Sequence, residues 1–177
     1  MIVIRPVEQA KLFTALLSRE EKIFDVVKEN LCGSFGPVDY ISPVLPWTHS
    51  RYYEKEMGSD LKRAFFFFKD HVQPELLADI KNTTNKIEVY FKNETNLNMP
   101  VRPVNIDPGY MTLSKVVLAS TKDYSHRVYL GKGIYAEVTL YYMDKSYKPF
   151  PYTYPDYRSK EYILMFNSIR EKLLCRY

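Results

Sequence analysis

The chain has 177 residues, 46% of them hydrophobic and 26% charged, with a formal net charge of +4. This balance excludes a disordered chain, and the length suits one domain that folds without metal or disulfide support, burying roughly two-thirds of its unfolded surface. No stretch approaches the roughly 20 apolar residues of a membrane span, and Met1–Arg5 is too short and wrongly flanked for a secretory signal, so no membrane partner and a cytoplasmic location are expected. Residues 1–177 read as a single domain, with 1–10 as a loose N-terminal segment. Cys32 and Cys175 each fall near the end of an expected helix and read as two small buried or half-buried thiols in the reducing cytosol.

In chain order, Lys11–Ser18 is an apolar run expected to form a buried strand. Ser18-Arg19-Glu20-Glu21 has the capping-box pattern, and Ile23, Val26, Val27 and Leu31 follow at helical spacing, so a helix is expected from Arg19 to Cys32 with Gly33 as its stop. Val38–Leu45 reads as a strand pushed to an edge by Pro43, and 47–58 as irregular or one helical turn. Leu61–Lys69 contains four consecutive phenylalanines, Phe65–Phe68, as expected of a strand covered on both faces or lining a groove. Pro74 opens a helix whose stripe is Leu76, Leu77, Ile80, Thr84, Ile87 and Phe91. A loop at Asn93–Asn98, a strand at Val101–Ile106 and a turn at Asp107-Pro108-Gly109 follow. Thr112–Ser120 reads as a short helix packing Leu113, Val116 and Val117. His126–Leu130 and Ile134–Tyr142 are strands joined by the hairpin signal Gly131-Lys132-Gly133, and a Pro- and Tyr-rich loop, 148–157, precedes a final helix capped by Ser159.

The first half thus runs strand, helix, strand, strand, helix, strand. The expected fold is α+β, a single domain with a mainly antiparallel sheet in the ferredoxin-like β-α-β-β-α-β order, helices on one face, and a C-terminal hairpin and helix.

Charge and tyrosine are unevenly spread. Residues 1–110 hold 14 basic and 15 acidic residues, whereas 111–177 hold 11 and 6, and 12 of the 16 tyrosines lie from Tyr110 onward. Positive charge mixed with aromatic rings suits phosphates and stacked bases, and it also suits half-buried strands with a solvated hairpin. The densest polar segment is 105–137. There Asn105, Lys115, Lys122, Arg127, Lys132 and Glu137 are candidate ligand contacts, with Arg127 as a bidentate fork and Lys132 as a point charge on a glycine-flanked turn. Tyr129 and Tyr135 flank that turn and could stack on a base, and Asp107 with His126 is the candidate acid–base pair. No ligand spacing supports a metal site, and the sequence leaves any cofactor unknown.

The known nucleotide and hydrolase signatures are absent: there is no G-x-x-x-x-G-K-[ST], H-E-x-x-H, C-x-x-C or G-x-S-x-G. Asn85-Lys86-Ile87-Glu88 only faintly echoes a guanine-reading element, and none of His49, His71 and His126 stands in the H-x-[ST] pattern of two-histidine phosphoesterases. The stretches RPVNIDPGYMTLSKVVLAST, KDYSHRVYLGKGIYAEVTLYY and YTYPDYRSKEY, with Tyr52-Tyr53 and Glu56-Met57-Gly58, resemble a prokaryotic family of unknown function, number forty-four sixteen of the domain-of-unknown-function series, over nearly the whole chain. That resemblance implies no established activity. The residues themselves lead to the expectation of a protein that binds an anionic ligand, a nucleotide, a phosphorylated small molecule or RNA, through its second half. An enzyme acting on a phosphorylated or nucleotide substrate and a protein-interaction module are the alternatives.

Overall fold

The computed structural model describes residues 6–94 and 102–175. Residues 1–5 of the expected loose segment, 95–98 of the expected loop and Val101 of the expected strand lie outside them; residues 6–9 are exposed and precede the first strand. The elements are β1 (Ala10–Ser18), α1 (Ile23–Phe35), β2 (Val38–Ile41), β3 (Leu45–Pro46), α2 (Glu54–Met57), β4 (Lys62–Val72), α3 (Leu77–Glu94), β5 (Asn105–Met111), β6 (Lys115–Ser120), β7 (Val128–Gly131), β8 (Ile134–Met143), β9 (Ser146–Pro149) and α4 (Lys160–Leu174).

Among the described residues the fold is α+β, with four helices around a nine-stranded antiparallel sheet in the order β2-β4-β1-β5-β6-β8-β7, to which β3 adds at β4 and β9 at β8. With nine strands, the sheet is larger than a ferredoxin-like fold. Alternation along β1 and β4 sends side chains to two separate cores. Leu12, Leu16, Phe66 and Phe68 pack under Val27 and Leu31 of α1 and Ile80 and Ile87 of α3. Phe13, Phe65 and Phe67 pack under Phe166, Ile169 and Leu173 of α4. Helices therefore cover both faces, not one as expected, and this is why all four phenylalanines of Phe65–Phe68 are buried.

Three local expectations change. Ser18 stays in β1 and donates to the Pro103 carbonyl at 2.7 Å, so it does not cap α1, which starts at Ile23 and runs past Gly33 to Phe35. Thr112–Ser120 holds a strand, β6, rather than a helix. Val116 and Leu118 enter the α4-side core while Val117 and Ala119 enter the α3 side, so a strand buried on both faces mimics a continuous apolar helix. Asp107-Pro108-Gly109 is not a turn but the middle of β5, paired with Phe13, Thr14 and Ala15 of β1. The ladder from β5 to β6 starts only at Gly109, where a Cβ would lie 2.4 Å from the Val117 carbonyl oxygen and 2.6 Å from Phe13 Cζ. Only glycine admits that approach.

The expected strand Val38–Leu45 is split into β2 and β3, and the expected loop 148–157 begins with part of a further strand, β9, paired with β8; boundaries elsewhere shift by a few residues. The hairpin is β7–β8, with His126 and Arg127 in the turn before it. Ser159 does cap α4, accepting the Tyr162 N–H at 3.3 Å.

Candidate ligand-binding site

The β5–β6 ladder pairs only Gly109 with Leu118, Tyr110 with Val117 and Met111 with Val116. Beyond it Asn105 and Asp107 on one strand and Ala119 and Ser120 on the other are free of each other, and a cavity of about 480 Å³ occupies the space. The segment from Trp47 to Glu56 and the turn at Tyr154–Tyr157 complete its walls. Among the described residues five cationic side chains line it, Arg63, Lys81, Arg102, Lys122 and Arg127, against four carboxylates, Glu56, Asp107, Glu137 and Asp156.

Its interior is a continuous charged network. Glu88, inside the stripe of α3, accepts from Arg102 Nη2 at 2.6 Å and from the Ile106 N–H at 2.8 Å. Arg102 also donates to Asn105 Oδ1 at 2.5 Å, and Asn105 Nδ2 donates to Asp107 Oδ2 at 2.6 Å. Lys81, only 5% exposed, reaches from α3 to donate to the Ile106 carbonyl at 2.9 Å and stands 3.4 Å from Asp107 Oδ1. Arg63 closes the chain: Nη1 lies 3.8 Å from Asp107, Nη2 lies 3.6 Å from Asp156, and the guanidinium stacks on Trp47 at 4.7 Å.

Arg63 is 3% exposed, yet its Nε and Nη1 make no hydrogen bond, and the buried Tyr157 hydroxyl is likewise unpartnered. The two carboxyl groups beside Arg63 are driven apart. Burial disfavours the charge of Asp107, but Lys81, Arg63 and the Asn105 hydrogen bond outweigh it, and the carboxyl ionises more readily than usual. Burial raises Asp156 above the usual carboxylate range despite Arg63 and His49. Burial raises Glu88 in the same way, against Lys81 and Arg102.

The second cluster surrounds Arg127. Its Nε donates to Glu137 at 2.8 Å, Nη1 to Ser120 Oγ at 2.8 Å and to the Lys122 carbonyl at 2.9 Å, and Nη2 to the Tyr154 hydroxyl at 2.5 Å. Tyr124 lies under the guanidinium at 4.5 Å. Lys122 is exposed at the mouth and donates to the Tyr52 hydroxyl at 2.8 Å.

A family model, Domain of unknown function (DUF4416), matches residues 8–173. The chain belongs to this family. No curated protein and no solved structure matches it.

Of the residues singled out in this DUF4416 chain from sequence, Asn105, Asp107, Lys122, Arg127 and Glu137 line the cavity. His126 does not: it bonds Glu137 at 3.1 Å and stacks on Tyr152 with centroids 4.3 Å apart, while Asp107 faces Lys81, Arg63 and Asn105. The expected acid–base partners thus share no contact. Lys115 sits at the far end of β6, five residues and about 17 Å along the strand from Ser120. Lys132 is at the hairpin tip, pairing with Asp79 at 2.6 Å, and Tyr129 and Tyr135 pack on each other at 5.1 Å beside it. Sequence reasoning missed Arg63, Lys81, Arg102 and Asp156. Three of the five lining cations precede residue 110, so the charge count that favours the second half covers only part of the cavity. Among the described residues no group of three or more His, Cys, Asp or Glu is arranged to hold a metal ion, and no helix is long and apolar enough to cross a membrane.

Proposed function

We propose that this chain binds a phosphorylated small molecule of nucleotide size in the cavity between β5 and β6. The observation that carries this reading is the cationic lining of the cavity, in which Lys122 has no carboxylate partner among the described residues and the buried Arg63 guanidinium has two nitrogens, Nε and Nη1, without a hydrogen bond. A buried donor without a partner costs about 1–3 kcal/mol, more when charged, so the site is poised for an acceptor that the folded chain does not itself supply. The volume falls within the roughly 300–1,000 Å³ of small-molecule sites, and Trp47, Tyr52, Tyr124 and Tyr154 provide ring surfaces in its wall.

The test is a thermal-shift screen against ribonucleotides, phosphorylated metabolites and single-stranded RNA at low and moderate salt. The expected result is a rise in Tm with a mononucleotide or phosphorylated metabolite that shrinks as salt increases. Tighter binding of RNA than of any small molecule would redirect the reading to an RNA-binding protein. No shift with any anion would remove it in favour of a protein-interaction module.

A second reading, an enzyme acting on the same ligand, is favoured by one observation. Asp107 and Asp156 flank a single guanidinium with their ionisation pushed in opposite directions, which is how acid and base roles are separated. On that reading Asp156 replaces His126 as partner to Asp107, and phosphate or product release from the bound ligand, lost in Asp156→Asn, is the measurement.

The strand order β2-β4-β1-β5 with α1 and α3 on one side supports reading that half as a ferredoxin-like unit extended by β6–β9. Cys32 is half-buried as expected, but Cys175 is exposed, because it follows the end of α4; two free thiols fit the reducing cytoplasm.

A further inference from the structure

The cavity differs in charge balance between its ends. At the inner end every cation meets a carboxylate. Arg63 lies between Asp107 and Asp156 and Lys81 faces Asp107, while the part-exposed Arg102 is held by Glu88 and, at the rim, by Glu56. On the β6 side the buried Arg127 is matched by the buried Glu137, but among the described residues the exposed Lys122 at the mouth has no carboxylate partner and uses one of its three N–H groups on Tyr52. Arg127 keeps one Nη2 hydrogen beyond those given to Glu137, Ser120, the Lys122 carbonyl and Tyr154.

We infer that the ligand is a phosphomonoester with an uncharged, hydrogen-bonding body, its phosphate held at the mouth by the exposed Lys122 and its body inserted past the buried Arg127 toward Arg63. The inference rests on the reading of the cavity as a site for phosphorylated small molecules and specifies which end takes which group. Two physical reasons assign the ends. A phosphate dianion is costly to strip of water, so it belongs at the exposed Lys122 rather than beside the buried Arg63. A second anion at the inner end would meet Asp107 and Asp156 as well as Arg63, whereas a hydroxyl or carbonyl can accept from Arg63, and a hydroxyl can also donate to Asp107. A nucleoside 5′-monophosphate and a sugar phosphate both have this division; a molecule with phosphates at both ends does not.

The experiment is calorimetric titration of the full chain. The probes are the four ribonucleoside 5′-monophosphates, their nucleosides, ribose 5-phosphate, ribose and ribose 1,5-bisphosphate. Each is titrated into the parent, Lys122→Gln and Arg63→Lys. At least one monophosphate is expected to bind about tenfold or more tightly than its unphosphorylated parent, as one charge-assisted contact allows. Lys122→Gln should erase most of that difference while leaving the unphosphorylated compound unchanged. Arg63→Lys, which keeps the charge and removes the fork, should weaken both members of the pair by a similar factor. If Arg63→Lys does not fold, the Lys122→Gln comparison decides alone, because that side chain is exposed. A monophosphate that binds Lys122→Gln as tightly as the parent, or a bisphosphate that binds more tightly than the monophosphate, overturns the assignment of ends and leaves the cavity reading standing. No binding of any phosphorylated probe overturns both.

Discussion

The inner cavity and the tip of the β7–β8 hairpin are built from the same residue types, cations and aromatic rings, yet they differ in nearly every physical respect. Arg63 is 3% exposed, lies against Trp47 and stands between two carboxylates. Lys132, on a turn in the left-handed region at φ 55°, has a side chain 62% exposed and one surface partner, Asp79. Around Arg63 the field of each charge is little screened, so pairing, stacking and unpaired donors all matter. Around Lys132 water screens the pair, and two mobile side chains lose entropy to make it. A basic, tyrosine-rich stretch of sequence is therefore no guide to a site until burial is known.

The contrast can be broken by substitution. The largest effect should follow Arg63→Ala, which leaves Asp156 buried without its cation; a loss of about 3–5 kcal/mol in urea unfolding is expected. A loss below about 1 kcal/mol would put Arg63 in the same class as Lys132. Next comes Gly109→Ala. The added methyl meets the Val117 carbonyl and Phe13 where the ladder opens, and about 1–3 kcal/mol should be lost, read from the same unfolding curves.

A pH series sharpens the comparison further. The carboxyl of Asp156 is raised above 3.8 in the folded chain, so between 3.8 and its folded value the native state holds more proton there than the unfolded state does. Its contribution to stability therefore falls as pH rises from 3.8 through its folded value. Asp107 has the opposite sign: its contribution is present above 3.8 and is lost as pH falls through its lowered folded value. Unfolding curves from pH 3 to 7 should accordingly show a weaker decline with rising pH in Asp156→Asn than in the parent, and an unchanged slope would show that Asp156 is not buried as described. The smallest effect belongs to the hairpin. Lys132→Ala should change stability by about 0–1 kcal/mol and leave the binding of any phosphorylated ligand as it was.

Much of the missed chemistry left a trace in the sequence. Arg63 stands two and four residues before Phe65 and Phe67, hence on the same face of β4, which should have placed its charge in the core. Lys81 and Glu88 are seven apart on the buried stripe that carries Leu77, Thr84 and Phe91, a spacing that aims both inward. Asp156 and Tyr157 left no such trace, because a short turn has no periodicity to say which way its side chains face. Thr112–Ser120 misled for a related reason: an apolar run covered on both sides has lost the alternation that marks a strand.

By itself the sequence determined the α+β class, most of the element order, the burial of Phe65–Phe68 and the cap of α4, since these depend on periodicity and on local hydrogen bonding. It also marked Asn105, Asp107, Lys122, Arg127 and Glu137 as polar groups that packing alone does not ask for. Only the tertiary structure decided that the β5–β6 ladder stops at Gly109, that Lys81 and Arg102 converge on the opening, and that Arg63 is sealed there with two donors unpaired. Those facts join β4, α3, β5 and the turn at 156–158, segments tens of residues apart in sequence, and the charge balance of a cavity is a sum over groups that only the fold brings within a few ångströms of one another.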